Sequence, residues 1–260
     1  MSVMLYAVSD GVATITFNRP VVMNALDVEM LHAFRTSCER AAADPHARVI
    51  VLRGAGPAFV AGGDVAMFRD NVAAMATLVP QLAAELHHGI LALRHAPQPV
   101  IAAVHGAVAG AGFSIMLACD LVLAAAGTQF SMAYSRIGTS PDGGATWFLP
   151  RLTGYQKAME LMLLADTVDA EAMQRLGVVN HVVAADQLAA ETEKLARRLA
   201  AGPARAYAET KSLANRAMHA GLAAQLDAEA LAFARCAKTQ DFVEGITAFT
   251  DKRKPLYNGM

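Results

Sequence analysis

The chain has 260 residues, of which 55% are hydrophobic and 17% charged, and its formal net charge is −1. This composition excludes a disordered chain, because it supplies enough apolar material for a large core. No basic run is present, so neither binding of nucleic acid nor binding of an acidic membrane surface is expected. The apolar content exceeds what one monomer usually hides, which indicates an oligomer.

The cysteines, Cys38, Cys119 and Cys236, are scattered and form no CxxC pair. Such a set is typical of reduced thiols and predicts a cytoplasmic protein. The first ten residues lack the basic segment and the cleavage site of an export signal. The histidines show no spacing typical of metal ligands, so no metal site is expected.

The first predicted element is a hairpin, because alternating residues flank Asp10 and Gly11. The apolar pattern then predicts helices over residues 27–43 and 78–94, with Asp27 as the N-cap of the first, and a short helix capped by Asp64. Buried strands are expected over residues 49–52, 100–104 and 121–125. This alternation, to about residue 150, predicts an α/β core. From residue 154 onward nearly every segment has helical periodicity.

Residues 99–127 form the one stretch apolar enough to raise the question of a membrane span. Gly106, Gly110, Gly112 and Asp120 interrupt it, and its periodicity changes midway. A spanning helix needs about 20 continuous apolar residues. We therefore expect a strand, a turn, a helix and a second strand here, and no association with a membrane.

Two turns of small residues carry most of the functional information. One reads Ala-Gly-Gly-Asp at Ala61–Asp64, and the other reads Ala-Val-Ala-Gly-Ala-Gly-Phe at Ala107–Phe113. Each comes after a buried strand, and the second opens a helix. Two such turns can direct two free backbone N–H groups at one point, where they would stabilise a negative oxygen. The alternative is that both turns only allow close packing of strand and helix.

These turns belong to a series of motifs that runs nearly end to end. In chain order the motifs are Phe17–Leu26, Gly54–Asp64, Val104–Ser114, Cys119–Asp120, Phe130–Gly144, Leu149–Gly154, Gly177–Asn180 and Lys252–Pro255. On these residues the chain resembles the crotonase superfamily of enoyl-CoA hydratases and isomerases.

The resemblance implies an α/β fold, the crotonase (ClpP-like) spiral of ββα units, over residues 1–200. It implies a helical C-terminal trimerisation region over residues 201–260, which packs on the core and on neighbouring subunits. It also implies a homotrimer or a dimer of trimers. The implied partner is an acyl-CoA thioester substrate, with coenzyme A as part of that substrate and no tightly bound cofactor.

The family's shared step is stabilisation of a thioester enolate by two backbone amides, which the resemblance places at Gly63 and Ala111. Its hydratases also use two glutamates to hold a water molecule, and those positions are Ser114 and Tyr134 here. A hydroxyl is far too weak an acid to replace a carboxyl group without help. The sequence therefore does not resemble that of an efficient hydratase, and we expect Ser114 and Tyr134 to line the substrate pocket.

One carboxylate remains at a position where the family carries a catalytic residue. It is Asp142, in the run Pro-Asp-Gly. A lone acidic residue here is the base in isomerase branches that shift a double bond and in one that isomerises an aryl epoxide. Pro-Asp-Gly is also good turn chemistry, so a purely structural role is the alternative. The resemblance favours the base.

The resemblance also places coenzyme A beside a group of residues near the first turn and at the C-terminus. They are Met23, Ala25, Ala61, Asp64, Val65 and Lys252. Lys252, with Arg253, either reaches the phosphates or belongs to a solvated run of charge. Trp147 either lines the acyl pocket or packs in the core.

The leading prediction is an acyl-CoA isomerase that uses Asp142 as its base. The runner-up is a hydratase or an acyl-CoA hydrolase of the same family. A third class, a non-catalytic crotonase-like protein that binds RNA or other proteins, is less favoured. It would be indicated by a Lys-rich surface helix or an appended domain, and this sequence has neither.

Overall fold

The computed structural model describes residues 2–259, and its first two strands form the predicted hairpin. Strand β1 (Met4–Ser9) pairs with β2 (Val12–Phe17) in antiparallel register, with Ser9 opposite Val12. Asp10 and Gly11 have φ angles of 51° and 77°. Two successive residues with positive φ are what a two-residue hairpin turn requires.

The hairpin leads into a six-stranded sheet that is otherwise parallel. Strands β3 (Val49–Gly54), β4 (Val100–Val104) and β6 (Leu121–Ala125) lie where buried strands are predicted. The sheet order is β1-β2-β3-β4-β6-β9, where β9 (His181–Val183) is the last strand. All five residues of β4 are buried. A strand buried on both faces shows a continuous apolar run, which is why the sequence reveals it.

Helices cover both faces of this sheet. Helices α1 (Val28–Ala43) and α3 (Met75–His95) pack on each other and form the main core with the sheet. Between them, the Gly89 backbone lies against the ring of Phe34. On the opposite face α8 (Leu188–Ala200) packs over a smaller cluster that contains Val51 and Ile101. The N-cap predicted for α1 is confirmed, because the Asp27 side chain accepts a hydrogen bond from the backbone of Met30.

A second, smaller sheet positions the candidate site. It contains β5 (Ala107–Ala109), β7 (Gln129–Ser131) and β8 (Val168–Asp169). Helix α4 (Ala111–Leu117) follows β5, and all seven of its residues are buried. The expectation that nearly every segment after residue 154 is helical is confirmed, but β8 and β9 are not predicted. Strands of two and three residues are too short to show a period, and long-range pairing creates them.

Helices form most of the remaining chain. They are α2 (Val65–Asp70), α5 (Ala145–Thr153), α6 (Tyr155–Leu164), α7 (Ala170–Arg175), α9 (Ala204–Ala217), α10 (Leu222–Cys236) and α11 (Gln240–Thr250). The predicted division at residue 200 coincides with the end of α8. Helix α9 is nevertheless tied to the core, because the Lys211 ammonium donates to the carbonyls of Leu93 and Gln98 and pairs with Asp120 at 2.8 Å. The division into two regions stays a prediction.

The last two helices expose large apolar side chains. Leu231, Phe233, Val243 and Phe249 are between 62% and 85% exposed. No helix within residues 2–259 is long and apolar enough to cross a membrane. The stretch that raised the question, residues 99–127, forms short strands and α4 as predicted.

Candidate active site

The two small-residue turns lie side by side. Val60 and Val108 form a parallel bridge, and the Ala109 amide donates to the Val60 carbonyl at 3.0 Å. Gly62 has a φ of 105°, and a Cβ on it would lie 3.2 Å from the Ala109 carbonyl oxygen. A Cβ on Gly112 would lie only 2.2 Å from the Val60 carbonyl oxygen. The glycines thus allow two backbone segments to approach more closely than side chains permit.

This packing leaves the amides of Gly63 and Ala111 available. Leu26 pairs with the neighbours of Gly63, because its amide donates to the Gly62 carbonyl and its carbonyl accepts from Asp64. Ala111 is the first residue of α4, where an N–H has no partner within the helix. Within residues 2–259 neither amide donates to a protein group. Adjacent free amides at a helix N-terminus suit an oxyanion.

Three side chains, one of them from α4, are connected by hydrogen bonds. The Tyr134 hydroxyl donates to Oδ1 of Asp142 at 2.6 Å and lies 3.0 Å from the Ser114 hydroxyl. Ser114 Oγ also donates to the backbone carbonyl of Asp142 at 2.9 Å. Ser114 is fully buried and Tyr134 is 8% exposed. The structure therefore brings together Ser114, Tyr134 and Asp142, which are 28 residues apart at most.

The electrostatics of these three side chains fix the direction of the hydrogen bond between Tyr134 and Asp142. Burial, followed by the charge of Asp142 and the hydrogen bond to it, raises the pKa of Tyr134 well above its ordinary value. The phenol consequently stays protonated and donates to the carboxylate. It is a weaker acid than free tyrosine, which itself is far weaker than the carboxyl group of a hydratase. Both hydroxyls in the glutamate positions are thus engaged with Asp142.

A cavity of about 520 Å³ lies next to the turn that carries Asp142, and Gly143 is one of its lining residues. Its lining comes from α3, α5 and the end of α9, and includes His87, Gly143, Trp147, Phe148 and His219. The rings of Trp147 and Phe148 meet edge to face at 4.8 Å between centroids. Trp147 therefore lines a cavity beside the site rather than the core. Pockets of this size with aromatic walls and a few polar groups are typical of small-molecule sites.

His87 is a residue of this site that the sequence does not single out. Its Nε2 accepts a hydrogen bond from the Gly143 amide at 3.4 Å. His87 lies in the middle of α3, 56 residues from Gly143. Because it has no motif around it, only the packing of α3 against the Pro-Asp-Gly turn reveals it.

The residues predicted to border coenzyme A form one surface near the first turn. Met23 is 49% exposed and Val65 is 55% exposed. The Ala61 amide donates to the Met23 carbonyl, and Arg19 donates to the Ala25 carbonyl at 2.6 Å. Asp64 caps α2 as predicted, since its side chain accepts from the Met67 amide. These contacts bring Met23, Ala25, Ala61, Asp64 and Val65 together.

Lys252 is not joined to that surface. Within residues 2–259 no hydrogen bond or ion pair links its side chain to the segment around Met23 or to the first turn. Its neighbour Arg253 is committed to Glu244 of α11, at 2.6 Å. A role of Lys252 at the coenzyme A phosphates stays a prediction.

The side chain of Asn24 anchors the exposed segment at Met23. Asn24 is fully buried. Its amide nitrogen donates to the carbonyls of Ala55, Ala58 and Phe59 at 2.8–3.0 Å. Its φ is 58°, which asparagine tolerates better than alanine. We expect Asn24→Ala to lower the free energy of unfolding by about 3 kcal/mol, because buried carbonyls lose their donor.

Denaturant titration at fixed protein concentration measures this effect. Asn18→Ala is the control, because Asn18 is only partly buried and its side chain makes a single hydrogen bond to the rest of residues 2–259, to the Ser2 carbonyl. That variant should change stability by less than about 1 kcal/mol. Equal effects of the two substitutions would contradict the anchoring role of Asn24.

The fold and the adjoining turns together define a known class of enzyme. Residues 7–260 match the family model described as enoyl-CoA hydratase/isomerase. The chain belongs to this family, the crotonases, and is an enzyme with enoyl-CoA hydratase/isomerase activity. This confirms the family and the fold that the motifs predict.

Individual relatives span the whole chain. A probable enoyl-CoA hydratase of Rhodobacter capsulatus is 40% identical over 98% of this chain and 97% of its own length. The 1,2-epoxyphenylacetyl-CoA isomerase of Escherichia coli K12 is 37% identical over 100% of this chain and 99% of its own length. The crystal structure of an enoyl-CoA hydratase from Polaromonas sp. JS666 superposes with a TM-score of 0.93, at 36% identity, and the match covers 98% of this chain and 99% of that one.

Proposed function

We propose that this enzyme isomerises an acyl-CoA thioester, with Asp142 as the single base. The observation that carries the proposal is the state of the two glutamate positions. They hold Ser114 and Tyr134, and both hydroxyls are turned to Asp142. One carboxylate, without a second acid or base to hold water, suits proton movement within the substrate.

In the proposed reaction the thioester carbonyl oxygen accepts hydrogen bonds from the Gly63 and Ala111 amides. Asp142 takes a proton from the carbon next to the carbonyl, and the electron pair forms a dienolate whose oxygen the amides stabilise. Asp142 then returns the proton two carbons further along, so the double bond has moved and no atom is gained or lost. On an aryl-epoxide substrate the same carboxyl group would assist ring opening.

The cavity beyond Gly143 supports a place for the acyl group. It adjoins the base and carries the aromatic pair of Trp147 and Phe148. Coenzyme A would lie along the surface at Met23, Ala25, Ala61, Asp64 and Val65. In this proposal it enters as part of the substrate, and no tightly bound cofactor is needed.

We also propose that the enzyme forms a homotrimer or a dimer of trimers. Large apolar side chains on α10 and α11 support association, because exposed patches of this kind mark interfaces. Sedimentation equilibrium distinguishes three from six subunits, and a monomer at micromolar concentration would contradict the proposal.

The alternative within the family is hydration or hydrolysis that uses Asp142 alone. The similarity to the Rhodobacter capsulatus relative, which is a probable enoyl-CoA hydratase, favours this candidate. A screen of 2-enoyl, 3-enoyl and aryl-epoxide CoA thioesters separates the reactions. Chromatography with mass detection shows an isomer as a new peak of unchanged mass, a hydration product as a gain of one water, and hydrolysis as free coenzyme A. Hydration or hydrolysis without any isomer would overturn the leading proposal.

A further inference from the structure

We propose that Tyr134 is a positioning residue for Asp142, which holds Oδ1 of the carboxylate and leaves Oδ2 as the oxygen that exchanges the proton with the substrate. This inference rests on the proposed function and deepens it. The hydroxyls at the glutamate positions would then be a support for a different base, rather than inert replacements.

The geometry of the Tyr134–Asp142 contact is that of a strong hydrogen bond. The two oxygens are 2.6 Å apart, within the range of a hydroxyl donating to an ionised carboxylate. Only 8% of Tyr134 is exposed, so water has little access to compete for the phenol. Within residues 2–259, Tyr134 is the one side chain that donates to the Asp142 carboxylate. Its removal therefore leaves the base without a side-chain donor.

A count of protons assigns the direction of the bond between Tyr134 and Asp142. The Tyr134 phenol has one proton and gives it to Oδ1. The Ser114 hydroxyl has one proton, and it lies 2.9 Å from the Asp142 carbonyl oxygen and 3.0 Å from the phenol oxygen. Whichever oxygen accepts its proton, the Ser114 hydroxyl holds in place either the turn at Asp142 or the phenol of Tyr134. Oδ2 has no protein donor among the described residues, so it is free to accept a proton.

The same arrangement works in both protonation states of the base. With the proton on Oδ2, the phenol still donates to Oδ1, so no side chain has to rotate between the two proton transfers. The bond is stronger when the carboxylate is ionised. Tyr134 therefore holds the carboxylate in one orientation through both proton transfers.

The other groups that face the Pro-Asp-Gly turn do not replace this contact. Ser114 of α4 bonds to the Asp142 backbone, and His87 of α3 accepts from the Gly143 amide. Neither donates to the carboxylate. A loss of turnover on removal of the phenol is thus attributable to the Tyr134 hydrogen bond.

The test compares kcat and KM for wild type, Tyr134→Phe and Ser114→Ala, with whichever CoA thioester the screen finds to be isomerised. For Tyr134→Phe we expect kcat to fall about 10-fold with KM changed less than about two-fold, because the base is less well oriented while the substrate contacts remain. Ser114→Ala should lower kcat by less.

The matched control is Tyr6→Phe. Tyr6 also donates its phenol proton to an aspartate, Asp44, at 2.8 Å, but from β1 at the edge of the six-stranded sheet. Removal of that hydroxyl should leave both kcat and KM unchanged.

Two further measurements separate the possible failures. If Asp142→Asn is inactive while Tyr134→Phe keeps the wild-type kcat, Asp142 remains the base and the positioning role of Tyr134 is overturned. If Asp142→Asn is fully active, the proposed function itself fails. A crystal structure of Tyr134→Phe gives a readout independent of turnover. A displaced Asp142 carboxylate supports the inference, and an unchanged one overturns it.

Discussion

Asp142→Asn is expected to lower the turnover of the isomerised CoA thioester by roughly 100-fold or more. The amide keeps the shape of the side chain and can still accept a hydrogen bond from Tyr134. It cannot take a proton from carbon. A 100-fold loss corresponds to about 2.7 kcal/mol of transition-state stabilisation. Steady-state rates of wild type and variant, with the affinity for a non-reacting CoA thioester measured by calorimetry, provide the check.

Affinity should survive this substitution, because the amides of Gly63 and Ala111 and the surface at Met23 are untouched. Asp186→Asn is a suitable control, since Asp186 is exposed in the short turn before α8. That variant should behave as wild type. Isomerisation by Asp142→Asn at the wild-type rate would mean that Asp142 is only a turn residue and that the base lies elsewhere.

Crotonyl-CoA is expected to be hydrated at least 100-fold more slowly than by a hydratase that carries both glutamates. Loss of a single acid or base costs roughly 10²–10⁴-fold, and here both positions lack a carboxyl group. Ser114 and Tyr134 cannot compensate, because their hydroxyls are committed to Asp142 and the pKa of Tyr134 is raised further.

The decay of the ultraviolet absorbance of the conjugated thioester measures hydration directly. A two-glutamate hydratase assayed in parallel shows that the substrate and conditions are adequate. Turnover near 10³ per second, about that of an efficient enzyme, would contradict the role given to these two positions.

Much of the architecture follows from local chemistry that the sequence displays. Asp10 and Gly11 predict the hairpin, Asp27 and Asp64 predict two helix caps, and the apolar run at residues 100–104 predicts the central strand. Each of these signals acts within a few residues. The structure confirms them because tertiary packing agrees with the local preference at each position.

The parts that the sequence does not reveal depend on contacts between distant residues. Strand β9 pairs with β6 across 58 residues, and its three residues carry no pattern of their own. The contact of His87 with Gly143 depends on how α3 packs. The Tyr134–Asp142 hydrogen bond is also invisible, because the sequence identifies both residues but not the direction of either side chain.

The site combines two sets of functional groups, one from the backbone and one from side chains. The groups available to a carbonyl oxygen, at Gly63 and Ala111, belong to the backbone, and their positions follow from strand pairing and from glycines that cannot be replaced without a clash. The groups available to move protons are side chains at positions 114, 134 and 142. Mutation can therefore change the second set while the first stays intact. A scaffold of this kind can acquire a new reaction on an activated thioester through a few side-chain changes, without having to rebuild the activation itself.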